Sequence, residues 1–164
     1  MESLSDRFNL SDCNPSKTPP SGFRPIPASD TEFAEARHRP YPQIVGSILY
    51  ASTISRIDLS QPAAVLSRFV GKWNESHYQA AKHLLRYIRG TTDLSLVFYG
   101  DCGKRIIQGY ADADWGRDLD TRRSTTVAIS SKCMEEQLLG KSRWQPTVAL
   151  STTEAEYMAS ADAT

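Results

Sequence analysis

Seven of the nine prolines fall between Pro15 and Pro42, and this crowding decides where the chain can fold. Proline lacks a main-chain N–H and has a fixed φ, so such a stretch supports neither a helix interior nor a central strand. From Asn14 to Gly22 it is also poor in apolar residues. It reads as an extended linker, partly polyproline-like. A short helix is expected from Asp30 to Arg37, with Ser29 or Asp30 as its cap. The main folded region must begin behind these prolines.

From Tyr41 the apolar residues Ile44, Val45, Ile48 and Leu49 recur at helical spacing. Pro42 suits a first turn. A second helix is expected from Asp58 or Ser60 to about Phe69, with Pro62 tolerable early in it. A third runs from about Glu75 to Arg89. Its apolar face is Tyr78, Ala81, Leu84, Leu85 and Ile88, and Gly90 would end it in a left-handed conformation. Near Thr91 the pattern turns to alternation. Strands are expected at Leu94–Tyr99, Arg105–Ala111, Thr125–Ser131 and Thr147–Leu150, with a turn at 100–103. Ser151 or Thr152 then caps a helix through Ala163, with Glu154 in its first turn. The fold class is α+β (or α/β).

The 164 residues give room for one ordinary domain or two incomplete pieces. With 40% hydrophobic residues a modest core is possible. The 19 basic and 19 acidic residues cancel, so overall charge does not drive the chain toward nucleic acid. The three cysteines, Cys13, Cys102 and Cys133, form no CxxC pair. That argues against a disulfide framework and a zinc site, and fits a reducing, intracellular setting. No apolar run is long enough to span a membrane, and no signal peptide is evident.

Two stretches carry chemistry. Gly109–Trp115, reading Gly-Tyr-Ala-Asp-Ala-Asp-Trp, puts Asp112 at the end of a strand with Asp114 close behind. Thr153–Tyr157 puts Glu154 and Glu156 on the first turns of a helix, pointing to different faces. Carboxylates from separate elements can hold Mg²⁺, a hard ion that takes oxygen ligands. Periodicity alone favours the plainer reading, a solvated loop in which Asp112, Asp114, Asp118 and Asp120 pair with Arg117, Arg122 and Arg123. A calcium loop fails, because the twelfth place counted from Asp112 is Arg123. His38, His77 and His83 form no ligand set and read as ordinary surface or helix residues. Lys82, Arg86 and Arg89 share one helical stripe beside His83. They are candidate contacts to nucleic-acid phosphates, weighed against a merely solvated face. Tyr78 and Tyr87 read as core.

Four strings in order resemble copia-type retrotransposon Pol polyproteins. They are Tyr41–Tyr50 (Tyr-Pro-Gln-Ile-Val-Gly-Ser-Ile-Leu-Tyr), His77–Thr91 (His-Tyr-Gln-Ala-Ala-Lys-His-Leu-Leu-Arg-Tyr-Ile-Arg-Gly-Thr), Gly109–Trp115 and Gln145–Tyr157 (Gln-Pro-Thr-Val-Ala-Leu-Ser-Thr-Thr-Glu-Ala-Glu-Tyr). Asp12-Cys13-Asn14-Pro15 with Thr18-Pro19 resembles the segment just behind that family's polymerase core. The resemblance implies three parts: a Pro-rich linker over 1–40, a helical connection region of reverse transcriptase over 41–92, and a truncated ribonuclease H-like domain over 93–164. That last part would be a partial mixed sheet with one helix. The implied family activity is two-metal hydrolysis of the RNA strand in RNA–DNA hybrids. Asp112 matches the ligand expected to bridge two Mg²⁺ ions, and Glu156 the helix-borne glutamate that holds one. Asp114 and Glu154 match motif positions with structural or outer-sphere roles. The family's remaining carboxylates come from later elements, and no Tyr-x-Asp-Asp occurs here. The partners implied are an RNA–DNA hybrid and the remainder of the polyprotein, with no membrane. The place implied is cytoplasmic, in a virus-like particle, or nuclear, and not secreted.

Between Val127 and Gly140 the residues leave the family pattern while the length is nearly kept, which suggests a shifted reading frame or a mistaken gene model. Val127–Lys141 is therefore expected to be the least regular part of the second half. Ile57 stands where the family usually has proline. The chain stops inside a helical pattern, as a truncated piece would. The rival to the enzymatic reading is an inactive retroelement remnant, or a weak nucleic-acid-binding module without catalysis.

Overall fold

A computed structural model describes residues 2–10, 12–20, 25–94, 107–116, 122–132 and 138–163. The chain forms two compact units, Met1–Leu96 and Val97–Thr164. The first unit contains helices α1 (Glu2–Arg7), α2 (Asp30–Ala36), α3 (Tyr41–Ile54), α4 (Ser60–Ser67) and α5 (Glu75–Gly90), with a 3₁₀ turn at Ile57–Leu59. The three helices expected behind Tyr41 are all present. Ser29 caps α2 in a capping box with Glu32.

Helix α5 supplies the main apolar stripe. Ala80, Ala81, Leu84, Leu85 and Ile88 are buried with Ile44, Val45 and Ile48 of α3 and Ala63 and Leu66 of α4. Tyr41 sits wholly inside and stacks on Trp73, ring centres 4.9 Å apart. Its hydroxyl donates to the Leu66 carbonyl at 2.7 Å, so the ring is buried without an orphaned polar tip. His77, expected at an ordinary helix or surface position, is 0% exposed. It lies in the first turn of α5, where its Nδ1 reaches back to the N-cap residue Asn74, 2.6 Å from Oδ1. Its ring packs on Phe69 at 4.6 Å. Burial holds its pKa below the usual histidine value, against a weaker opposing pull from Glu32.

At the other end of α5, the buried Arg56 guanidinium closes the unit. It donates to both oxygens of Asp58, at 2.9 and 2.7 Å, and to the Thr91 carbonyl and hydroxyl, at 3.0 and 2.7 Å. Tyr87 donates to the same Asp58 carboxylate at 2.9 Å. Burial pushes the Asp58 carboxyl up, but the hydrogen bonds from Arg56 and Tyr87 outweigh it and leave the pKa below the usual range.

Two expectations change in this unit. Gly90 is the last residue of α5 and has no left-handed φ. Its missing side chain serves a close approach instead, because a Cβ there would collide with the Ser16 carbonyl. The proline-rich stretch is also tied to α5. The Ser16 N–H donates to the Arg86 carbonyl at 3.1 Å, and the His83 ring meets the Ser16 hydroxyl at 3.1 Å.

The second unit holds β1 (Ile107–Asp114), β2 (Thr125–Lys132), β3 (Leu138–Trp144) and α6 (Thr152–Ala163). The strands run antiparallel in the order β1-β2-β3. The sheet among the described residues is thus antiparallel rather than mixed. The region expected to be least regular, Val127–Lys141, instead contributes two strands in unbroken register, from Thr125 opposite Trp144 to Ser131 opposite Leu138. Thr125, Thr126, Val127 and Ile129 are β-branched, and that favours a pleated strand whatever the family pattern. Residues 133–137 lie outside the described ones. So do the strand expected at Leu94–Tyr99 from its second residue on, and the turn at 100–103.

Thr147–Leu150, expected as a strand, is a loop. Its main-chain groups are taken by side chains. The Trp115 indole donates to the Ala149 carbonyl at 3.0 Å, and the Leu150 N–H donates to Glu154 at 2.7 Å. Gln145, 1% exposed, joins sheet to helix: its Nε2 donates to the Thr126 hydroxyl at 3.2 Å and to the Ala155 carbonyl at 2.8 Å.

Two stability measurements check this account. His77 has a lower pKa folded than unfolded, so its contribution is full above the unfolded value of about 6.5 and is lost as pH falls below it. Urea unfolding of the first unit should therefore show falling stability between about pH 7 and pH 5. The His77→Gln chain should lack that dependence. In the second unit, Gln145→Ala removes two buried hydrogen bonds and should cost about 2 kcal/mol in the same assay.

Candidate functional site

The face on which each carboxylate sits follows from strand register. Ala113 pairs with Thr126, and Thr126 with Arg143. Directly paired residues share a face, and this face meets α6, through Gln145 between Thr126 and Ala155 and through the ion pair of Arg143 with Asp162. Successive strand residues alternate faces. Tyr110, Asp112 and Asp114 therefore belong to the opposite face, with Thr125, Val127 and Trp144. Asp112 is exposed and Tyr110 is 66% exposed, consistent with that placement.

On α6 the buried residues are Ala155 and Ala159, with Met158 and Asp162 half-buried. At about 100° per residue, Glu156 leaves the helix on one flank of this stripe and Glu154 on the other. Their roles separate accordingly. The Glu154 carboxylate accepts from the Leu150 N–H, while its own N–H donates to the Ser151 hydroxyl at 3.1 Å. Glu154 therefore fixes the start of the helix. Glu156 is exposed, and neither it nor Asp112 has an ion pair among the described residues. Helix α6 packs against β1 and β2. The two carboxylates thus stand on adjacent elements, one on the sheet face away from α6 and one on the flank of α6.

The basic stripe of α5 is divided by the structure. The Arg86 Nε donates to the Asn14 carbonyl at 2.6 Å, and an Arg89 N–H donates to the Leu10 carbonyl at 2.8 Å. Both guanidiniums hold the N-terminal segment on α5, each through one of its five N–H donors. Lys82 makes no such bond. Its ammonium lies 5.7 Å from the centre of the Tyr78 ring, and it lines a cavity of about 540 Å³. Arg7, Phe8, Asn9, Gln43 and Tyr78 share that lining. Arg7 carries no signal in the sequence, because nothing in its spacing links the N-terminal turn to α5.

No helix among the described residues is long and apolar enough to cross a membrane. No family model matches the chain, and no solved structure matches it. Among curated proteins it is 36% identical over 170 residues to the retrovirus-related Pol polyprotein from transposon TNT 1-94 of Nicotiana tabacum, covering 99% of the chain and 12% of that polyprotein. It is 40% identical over 128 residues to secreted RxLR effector protein 161 of Plasmopara viticola, covering 76% of the chain and 87% of that protein. It is 36% identical over 117 residues to the retrovirus-related Pol polyprotein from transposon RE1 of Arabidopsis thaliana, covering 71% of the chain and 8% of that polyprotein. The chain therefore spans about 12% of the tobacco polyprotein, at a match that runs through nearly all of its own length. It belongs to the copia-type retrotransposon Pol polyproteins, as a fragment of one.

Proposed function

We propose that residues 93–164 are part of a ribonuclease H-like domain, that residues 41–92 are the helical connection region of a reverse transcriptase, and that the parent polyprotein hydrolyses RNA in RNA–DNA hybrids. The observation that carries this reading is the order of the second unit. Three antiparallel strands lead into one helix, with Asp112 on the first strand and Glu156 on that helix. The motif match at both positions supports it.

Asp112 and Glu156 fit a hard divalent cation by donor chemistry. Both are exposed carboxylates without ion pairs among the described residues, so oxygen lone pairs are free. They are the residues that would hold Mg²⁺. When bound, Mg²⁺ supplies Lewis acidity toward a phosphodiester and lowers the pKa of water. The protein's share is placement. Pairing with β2 holds the β1 main chain that carries Asp112. Glu154 fixes the helix start two residues before Glu156. Gln145 ties that helix to the sheet. Lys82, Arg86 and Arg89 remain the candidate phosphate contacts, Arg86 and Arg89 each with one N–H committed to a main-chain carbonyl and further donors left over.

The 164-residue chain by itself should not cut a hybrid. Two carboxylates are too few to place both ions of a two-metal site, where one ion serves the attacking oxygen and the other the leaving oxygen. The test is a labelled RNA–DNA hybrid incubated with Mg²⁺ and the purified chain, beside a form extended through the family's later carboxylates. The expected result is no cutting by the short chain, and cutting by the long form that Asp112→Asn abolishes. Cutting by the short chain that is lost in Asp112→Asn would contradict the missing-ligand account. Failure of the long form would contradict the nuclease reading.

A further inference from the structure

The cavity beside α5 has an electrostatic imbalance. Its walls are the turn after α1 (Arg7, Phe8, Asn9, Leu10), the start of α3 (Pro40, Gln43, Ile44) and one face of α5 (Tyr78, Lys82). No acidic residue lines it, and two cations do. Neither Arg7 nor Lys82 has an ion pair among the described residues; both stand over rings, Arg7 5.6 Å from the centre of Phe8 and Lys82 5.7 Å from that of Tyr78. Cations facing one concavity with low-dielectric walls raise its positive potential and concentrate anions there. The Asn9 and Gln43 amides add uncharged donors. Ile44 is fully buried, and Phe8, Leu10 and Tyr78 are half-buried. One part of the lining therefore suits charge, and another suits a flat or apolar body.

The wall is also held in place. An Arg89 N–H fastens the Leu10 carbonyl to α5, so the turn that carries Arg7 and Phe8 is anchored from its far side. A cavity of about 540 Å³ is within the usual range of about 300–1,000 Å³ for small-ligand sites.

We propose that this cavity binds a phosphate monoester carrying a planar ring, with Arg7 and Lys82 on the phosphate and the ring against the half-buried Phe8 and Leu10, since Arg39 and Lys82 already stand over the Tyr78 ring. Charge-assisted hydrogen bonds to phosphate are the strong contacts available, and arginine offers two parallel ones. The ring contact is the burial of a flat apolar surface against these side chains. A free mononucleotide and the phosphorylated end of a polynucleotide both present this chemistry. All of its lining residues belong to the first unit, and its test does not involve Asp112 or Glu156.

The test is a titration of the full chain, followed by amide NMR, with adenosine 5′-monophosphate, adenosine and inorganic phosphate as separate probes. The monophosphate should shift signals of Arg7–Leu10 and Tyr78–Lys82 together and bind about tenfold more tightly than either part alone. Arg7→Gln and Lys82→Gln should each weaken it about tenfold, since each removes a charged contact. Neither should move the unfolding midpoint, which separates lost binding from lost fold. A second arm compares hexanucleotides with and without a 5′-phosphate. Tighter binding of the phosphorylated hexamer than of the monophosphate assigns the site to a strand end, and the reverse assigns it to a free nucleotide. Shifts confined to other residues, or variants that bind the monophosphate as well as the parent chain, would overturn the proposal.

Discussion

Helix α5 is bound on two sides, and the first unit follows from that. One side is an apolar stripe, Ala81, Leu84, Leu85 and Ile88, that removes four side chains almost wholly from water. Burial of such groups is the main favourable term available to a helical unit of this size. The other side carries cations, two of which grip main-chain carbonyls of the N-terminal segment. The helix needs both ends secured as well. Asn74 and His77 satisfy its first turn, while Arg56 reaches Thr91 beyond its last. Remove the stripe and the helices separate; the cations' grip on the N-terminal segment is shared with the Ser16 N–H on the Arg86 carbonyl and with the His83 ring on Ser16 and Thr18.

This double use explains what the sequence disclosed and what it hid. The apolar period of α5 is strong, and its bounds were legible within a residue or so. The caps of α2 and α6 were legible too, because serine and glutamate three apart leave few other readings. Tertiary contacts were not. Arg86 and Arg89 share a stripe that suggests phosphate binding, and only the fold shows carbonyl oxygens 72 and 79 residues away in the donors' path. Gly90 looked like a helix stop, yet it makes room for Ser16. His77 looked peripheral, yet its neighbours Tyr41 and Phe69 come from other parts of the chain. In each case the deciding partner is distant in sequence, where local pattern has no reach.

The second unit gives the converse lesson. Val127–Lys132 and Leu138–Lys141, expected to be irregular, lie in paired strands, because β-branched residues and an unbroken register suffice for a sheet. Thr147–Leu150 had a strand's composition and lacked a strand's partners. At the candidate site, the geometry was not legible. Which face of β1 carries Asp112 depends on register with β2 and on where α6 packs. Alternation alone leaves both faces open.

The family assignment and the chemistry of this fragment are separate matters, joined only if Asp112 and Glu156 serve one site. Titration with Mn²⁺ followed by NMR line broadening tests that join most directly, because broadening reports nearness to the ion without requiring catalysis. Simultaneous broadening is expected around Tyr110–Asp114 and Glu154–Tyr157, with both effects reduced together by Asp112→Asn. Broadening at one segment alone, or at Glu156 undiminished in the Asp112→Asn chain, would contradict it.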